Sequence, residues 1–206
     1  MNKGKYGAIP SKRTEKATKA LEKDSRSLSA SEKNAYDNNE LEKVDGNLVL
    51  KTLITPGEEL DLLSVQKNKD SRVGIIDFQD AQIINDGAGG SMIVDAIKFS
   101  HAAGLKADDV AAKSFIQKAW PADLENGYVL IKQDTAILHK AKLSDFAFKG
   151  DEPQTREAQY LRLARPFTLA AGKRITIKLL RPNGVVGADH FLAVEFKGMQ
   201  LVNKRK

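Results

Sequence analysis

Along residues 173–180 the apolar side chains fall on every second position. Ile175, Ile177 and Leu179 alternate with Arg174, Thr176 and Lys178. Only an extended chain, whose side chains point to opposite faces in turn, buries one set and leaves the other in water. The pattern recurs over residues 190–197, where Leu192, Val194 and Phe196 alternate with Ala193, Glu195 and Lys197. Beyond Gly198 the apolar residues shift to the odd positions, Met199 and Leu201. A shift of phase at a glycine predicts a β-bulge or a sharp bend there.

Once these two strands are fixed, others become readable. Residues 47–54 are β-rich and end at the turn Pro56-Gly57. Further strands are expected at 60–65, 72–78 (extended or followed by 81–84), 91–100, 128–132, 135–143 and 160–164. Pro166-Phe-Thr-Leu169 leads into a turn at Ala171-Gly172, and Pro182-Asn-Gly184 closes the strand that precedes it. In the strand at 91–100 the spacing places Met92, Val94 and Ala96 on one face and Ile93, Asp95, Ile97 and Phe99 on the other. The glycine-rich run Asn85-Asp-Gly-Ala-Gly-Gly90 reads as a turn. Residues 107–120 are expected to form one inserted helix, capped by Asp108 or Asp109 and stopped at Pro121. Roughly eight to ten short strands at this spacing, with no βα alternation, predict an all-β jelly-roll or β-sandwich fold.

The N-terminal segment is different material. Residues 1–45 hold few large apolar side chains and cannot offset their own ordering entropy. They are expected to be a polar, partly helical arm, with short helices at 14–21 and at 31–44, the second capped by Ser29 or Ser31. The division is therefore an arm over 1–45, a sandwich domain over 46–203 and a tail over 204–206. Charge follows the same division. The chain of 206 residues has a net charge of +6. Residues 1–26 contribute Lys3, Lys5, Lys12, Arg13, Lys16, Lys19, Lys23 and Arg26 against Glu15, Glu22 and Asp24. The tail adds Lys204, Arg205 and Lys206. The positive charge thus sits at the two ends, and spaced cations of this kind neutralise phosphates without reading sequence.

Several kinds of chemistry find no support in the sequence. There is no cysteine, which removes disulfides, thiol nucleophiles and thiolate zinc sites together. His101, His139 and His190 are far apart and read as three unrelated histidines, so no metal site is expected. Asp77, Asp80, Asp86 and Asp95 surround the glycine-rich turn without the spacing of an EF-hand loop. No Gly-Lys-Ser/Thr follows that turn, so it is not a phosphate loop. No nucleophile elbow is present, and the carboxylates are scattered. The expectation is a non-enzyme without cofactors. Aromatic residues are only 6%, and the single tryptophan, Trp120, reads as packing rather than as a stacking platform. No run is long and apolar enough to span a bilayer as a helix, and no apolar signal-peptide core is expected at the N-terminus.

Residues 124–202 carry a resemblance. Leu124-Glu-Asn-Gly-Tyr-Val-Leu-Ile131 is followed by a strand over 137–146, then by the segment 163–179, which contains Arg165-Pro-Phe-Thr-Leu-Ala-Ala-Gly172, and by a last strand over 191–201 with Gly198 near its end. This order, with a basic arm in front, resembles small jelly-roll capsid proteins of bacterial viruses. The resemblance implies a virion structural protein, assembled in the host cytoplasm, that forms a shell from copies of itself. Its implied partners are itself, other virion proteins and the packaged nucleic acid, held non-specifically by the arm and tail, with an internal membrane as a further surface it could meet. The alternative is a non-enzymatic β-sandwich binding module for carbohydrate or nucleic acid.

Overall fold

The structure, a computed structural model, describes residues 28–54, 57–63, 74–76, 78–79, 82–83, 89–103, 110, 113–118, 120–147, 159–185 and 190–204. In chain order its elements begin with helix α1 (Ala30–Asp37) and strands β1 (Leu41–Ile54), β2 (Gly57–Asp61), β3 (Gly74–Ile76), β4 (Phe78–Gln79), β5 (Gln82–Ile83) and β6 (Met92–Ala103). The single-turn helix α2 (Ala122–Glu125) follows, then β7 (Tyr128–Gln133), β8 (Ala136–Lys142) and a 3-10 turn (Leu143–Phe146). Strands β9 (Leu161–Leu169), β10 (Ile175–Val185) and β11 (His190–Asn203) complete the chain.

Two antiparallel sheets carry the fold. The first has the order β3-β1-β11-β6-β9 and the second β2-β10-β7-β8, while β4 and β5 form a small ribbon of their own. When the short β3, β4 and β5 are set aside, eight strands remain, and their pairing is nested. The first pairs with the last (β1 with β11), the second with the seventh (β2 with β10), the third with the sixth (β6 with β9) and the fourth with the fifth (β7 with β8). The chain is therefore one long antiparallel ribbon, turned at the β7–β8 hairpin and rolled until its halves face each other. That is a jelly roll. The turn residue Asp134 adopts φ 52°, in the left-handed region that short polar side chains tolerate.

The alternation of β10 works as its sequence requires. Ile175, Ile177 and Leu179 enter the space between the sheets and meet Val129 and Ile131 from β7, Leu48 and Leu50 from β1, and Leu192, Val194 and Phe196 from β11. The Phe99 and Phe146 rings close this core with centroids 4.5 Å apart. The outer face of the first sheet is covered as well. At one end Ala35 of α1 and Leu41 pack on Ile93 and Leu201, with Leu28 and Tyr36 at the margin. At the other end Val110 and Phe115 lie on Leu53, Ala102 and Phe191.

Several expectations are corrected. The apolar phase of β11 does shift past Gly198, but without a bulge in β11 against β1: that pairing runs unbroken from Leu41↔Asn203 to Ile54↔His190. Leu201 turns outward because α1 is there to cover it. The bulge is real but belongs to β6, where Lys197 faces Ala96 and Gly198 faces Val94, leaving Asp95 as the extra residue. That extra residue brings Ile97 and Phe99 into the same core as Met92 and Val94, rather than onto the opposite face.

The helix expected over 107–120 is not formed at residues 113–118, which have no helical turn. Ile116 instead makes a two-hydrogen-bond bridge to His101, at 2.9 Å in each direction, on the edge of β6 beyond its pairing with β9. Pro121 starts a helix rather than ending one: it is the N-cap of α2. Among the described residues between β6 and β7, the α-helix is Ala122–Glu125. Residues 182–184 do not end β10, which continues to Val185 with a register irregularity. Ser29 does cap a helix, through a capping box with Glu32, but that helix ends at Asp37. Residues 41–45 are already strand, so part of the expected arm belongs to the sandwich. The helix expected at 14–21 lies outside the described residues.

Candidate functional site

The basic residues proposed as contacts lie mostly beyond what the structure describes: Lys3, Lys5, Lys12, Arg13, Lys16, Lys19, Lys23, Arg26, Arg205 and Lys206 are all outside the described residues. Lys204 is described, and its position is informative. Its backbone N–H donates to the Glu40 carbonyl at 2.9 Å, and its ammonium donates to the Asn39 side-chain oxygen. Asn39, at φ 63°, is the left-handed residue that ends the turn after α1. The basic tail therefore begins against the turn that joins α1 to β1.

The same corner receives the other end of the body. Leu28, the first described residue, packs on the cluster formed by Ala35, Leu41, Ile93 and Leu201. Helix α1 is held there by one buried carboxylate. Glu32 Oε1 accepts the Ser91 backbone N–H at 3.1 Å, and Oε2 accepts the Ser29 backbone N–H at 3.2 Å and its hydroxyl at 3.1 Å. Ser91 Oγ in turn accepts the Ala171 N–H at 2.9 Å. An open groove of about 480 Å³ beside this corner is lined by Tyr36, Asp37, Asn39, Leu41 and Lys43. The Lys43 ammonium stands 4.9 Å from the Tyr36 ring centroid.

The histidines are not three unrelated residues. His101 on β6 faces Leu192, and His190 on β11 faces Ala103. The two are thus diagonal neighbours on adjacent strands. His101 is buried against Trp120, at a ring separation of 4.9 Å, and its Nε2–H donates to the Lys118 carbonyl at 2.9 Å. Its Nδ1 is buried without a hydrogen-bond partner. Burial lowers the His101 pKa below the usual 6.5; the Lys118 hydrogen bond opposes this, nearby His190 adds to it and Asp123 opposes it. Arg181 is buried at the same end and is also lowered by burial, with Asp123 opposing. His139 is separate, stacked on Phe167 at 6.0 Å. Sequence reading missed the His101–His190 pairing because only strand register brings residues so distant along the chain together. Among the described residues no three His, Asp or Glu side chains are placed to hold a metal ion. Asp95 is the bulge residue of β6, while Asp77, Asp80 and Asp86 lie outside the described residues.

Trp120 belongs to the core, and its ring N–H donates to the Gln117 carbonyl at 3.0 Å. Glu195, buried on the outer face of the first sheet, accepts from the Tyr160 hydroxyl at 2.7 Å and pairs with Lys98 at 3.1 Å. Lys98 and Lys197 stand 5.8 and 5.3 Å from the Tyr160 ring centroid. This network closes the face between the two apolar clusters. Comparison with protein-family models, with curated proteins and with solved structures returns no match for this chain.

Proposed function

We propose that the chain is a virion structural protein whose jelly roll is the tile of a capsid shell. The observation that carries the reading is the corner at α1. There Leu28 packs on the cluster under α1, and there Lys204 is tied to Asn39 and Glu40. The basic sequences before residue 28 and after Lys204 are therefore joined to the body at this one corner. Cations tethered to a nearly neutral body bind phosphates by charge alone, with salt-dependent affinity and no base reading. A shell protein needs that kind of contact with a packaged genome.

The test is light scattering on the purified protein at low and high salt, with the 260/280 nm absorbance ratio recorded. Large, uniform particles carrying nucleic acid are expected. Deleting residues 1–26 should leave the sandwich folded while nucleic acid or assembly is lost. A clean monomer without nucleic acid at either salt would overturn the proposal in favour of a binding module.

A further inference from the structure

The second sheet is polar in a literal sense: it has an acidic edge and a basic edge, matched row by row. Strand pairing defines two adjacent rows across its outer face. One runs Glu59, Leu180, Tyr128, Lys142, and the next runs Asp61, Lys178, Leu130, Lys140. Each begins with a carboxylate on β2 and ends with a lysine on β8. Both lysines are exposed, standing 5.6 and 5.7 Å from the centroid of the Tyr128 ring. The Glu59 side chain is 53% exposed, although Lys178 of the neighbouring strand also reaches it. One row further along β8, Ile137 is 62% exposed, the most exposed large apolar residue among those described.

Among the described residues neither β2 nor β8 has a strand on its outer side. An edge strand presents unpaired backbone donors and acceptors that can pair with another chain. Direction matters too. Neighbours in this sheet are antiparallel throughout, so β2 and β8, separated by two strands, run in opposite directions. A second copy placed with its β2 beside β8 therefore continues the antiparallel alternation. The same placement continues both rows, setting Lys142 opposite Glu59 and Lys140 opposite Asp61 of the neighbour. Opposite charges directly across a strand pair are favourable, and like charges are not.

We propose that copies of this chain associate head to tail through the second sheet, the β8 edge of one against the β2 edge of the next. The contact is heterologous: it uses two different surfaces and leaves one of each free for further copies. The proposal rests on the shell reading and names the partner surface for it.

The test reverses one charge on each edge. Lys142→Glu sets two carboxylates against each other at every contact, and Glu59→Lys sets two lysines. Each variant alone should need a roughly tenfold or higher protein concentration to form particles, since facing like charges suppress association. Mixing the two variants restores opposite charges at every contact. The reversed β8 edge of the Lys142→Glu chain then meets the reversed β2 edge of the Glu59→Lys chain, and the two unaltered edges meet each other. The mixture, and a chain carrying both reversals, should assemble as the wild type does. Circular dichroism and melting would establish that each variant is folded. The neutral variants Lys142→Gln and Glu59→Gln should shift assembly in the same direction by less. If the wild type forms particles and each reversed variant forms them equally well, the edge contact is wrong and the shell reading stands. A wild type that never assembles would overturn both.

Discussion

Among the glycines at which an added Cβ would meet a neighbour, Gly198 leaves the least room. An alanine Cβ at this position would lie 1.7 Å from the Ile93 carbonyl oxygen, 2.8 Å from its carbon and 3.1 Å from Val94 Cα. A carbon–oxygen contact relaxes at about 3.3 Å, so β6 or β11 would have to retreat by roughly 1.5 Å, a third of the ~4.8 Å between strands. No side-chain rotation provides that distance, because the obstacle is backbone. Overpacking costs about 1–3 kcal/mol and sometimes more, and each ladder hydrogen bond lost at the bulge adds about 1 kcal/mol. The stiffer unfolded chain of the alanine variant returns about 0.5–1 kcal/mol. Gly198→Ala should therefore destabilise by about 3 kcal/mol, a fall in Tm of roughly 6–12 °C for a chain of this size. The measurement is thermal unfolding of the dissociated chain. Gly46, the register partner of Gly198, supplies the control. A Cβ there meets Gln200 Cβ at 3.0 Å, a far milder approach than 1.7 Å, so Gly46→Ala should cost clearly less than Gly198→Ala. Equal melting temperatures for Gly198→Ala and the wild type would refute the bulge geometry.

Other consequences are equally open to measurement. Ile177→Asp places a carboxylate in the core opposite Ile131 and should cost about 5 kcal/mol or more, whereas Thr176→Asp, one residue along on the outer face, should cost under about 1 kcal/mol; equal urea midpoints would show the strand phase to be wrong. Glu32→Ala leaves the buried Ser91 N–H without its acceptor and should cost about 1–3 kcal/mol, with hydrogen exchange accelerated in α1 first; unchanged α1 protection would refute the role of Glu32 as its anchor. Stability should fall as the pH drops below 6.5, because the unfolded chain then binds protons that buried His101 and His139 resist, and His101→Phe should flatten the slope; a urea midpoint unchanged between pH 7.5 and 5.5 would contradict this.

Where burial is one-sided, the sequence was a good guide. β10 faces the core with Ile175, Ile177 and Leu179 and the solvent side with Thr176 and Lys178, so its alternation could be read directly. β6 and β11 were harder, because their outer faces are covered by α1 and by Val110 and Phe115. A strand buried on both sides reads as a nearly continuous apolar run and hides its own phase. For this reason the sequence marks the bulge at Gly198 while its extra residue, Asp95, lies on β6: Gly198 is a glycine to make room for its neighbour's extra residue. The expectation of a helix over 107–120 fails at residues 113–118 for a different reason. Its apolar stripe was short, and Ile116 satisfies its backbone against the open edge of β6 rather than in a helical turn. The candidate contact residues are nominated by charge alone, and the hydrogen bonds of Lys204 to Asn39 and Glu40 place one of them in space.

The unequal covering of the two sheets bears on the edge contact proposed for the second. The first sheet carries α1, the Tyr160–Glu195–Lys98 network and the segment around Phe115 on its outer face, so most of its apolar surface is already used within the chain. The second sheet carries no such cover among the described residues, and its outer positions include Lys178, Lys132, Lys140 and Lys142, with Glu59 and Asp61 at one side. Facing lysines oppose stacking of this face on a copy of itself, even though Leu180, Tyr128, Leu130 and the exposed Ile137 lie among them. Its two edges differ in charge, so the contact proposed above joins unlike edges; unlike a symmetric face-to-face pair, such a contact extends beyond two copies.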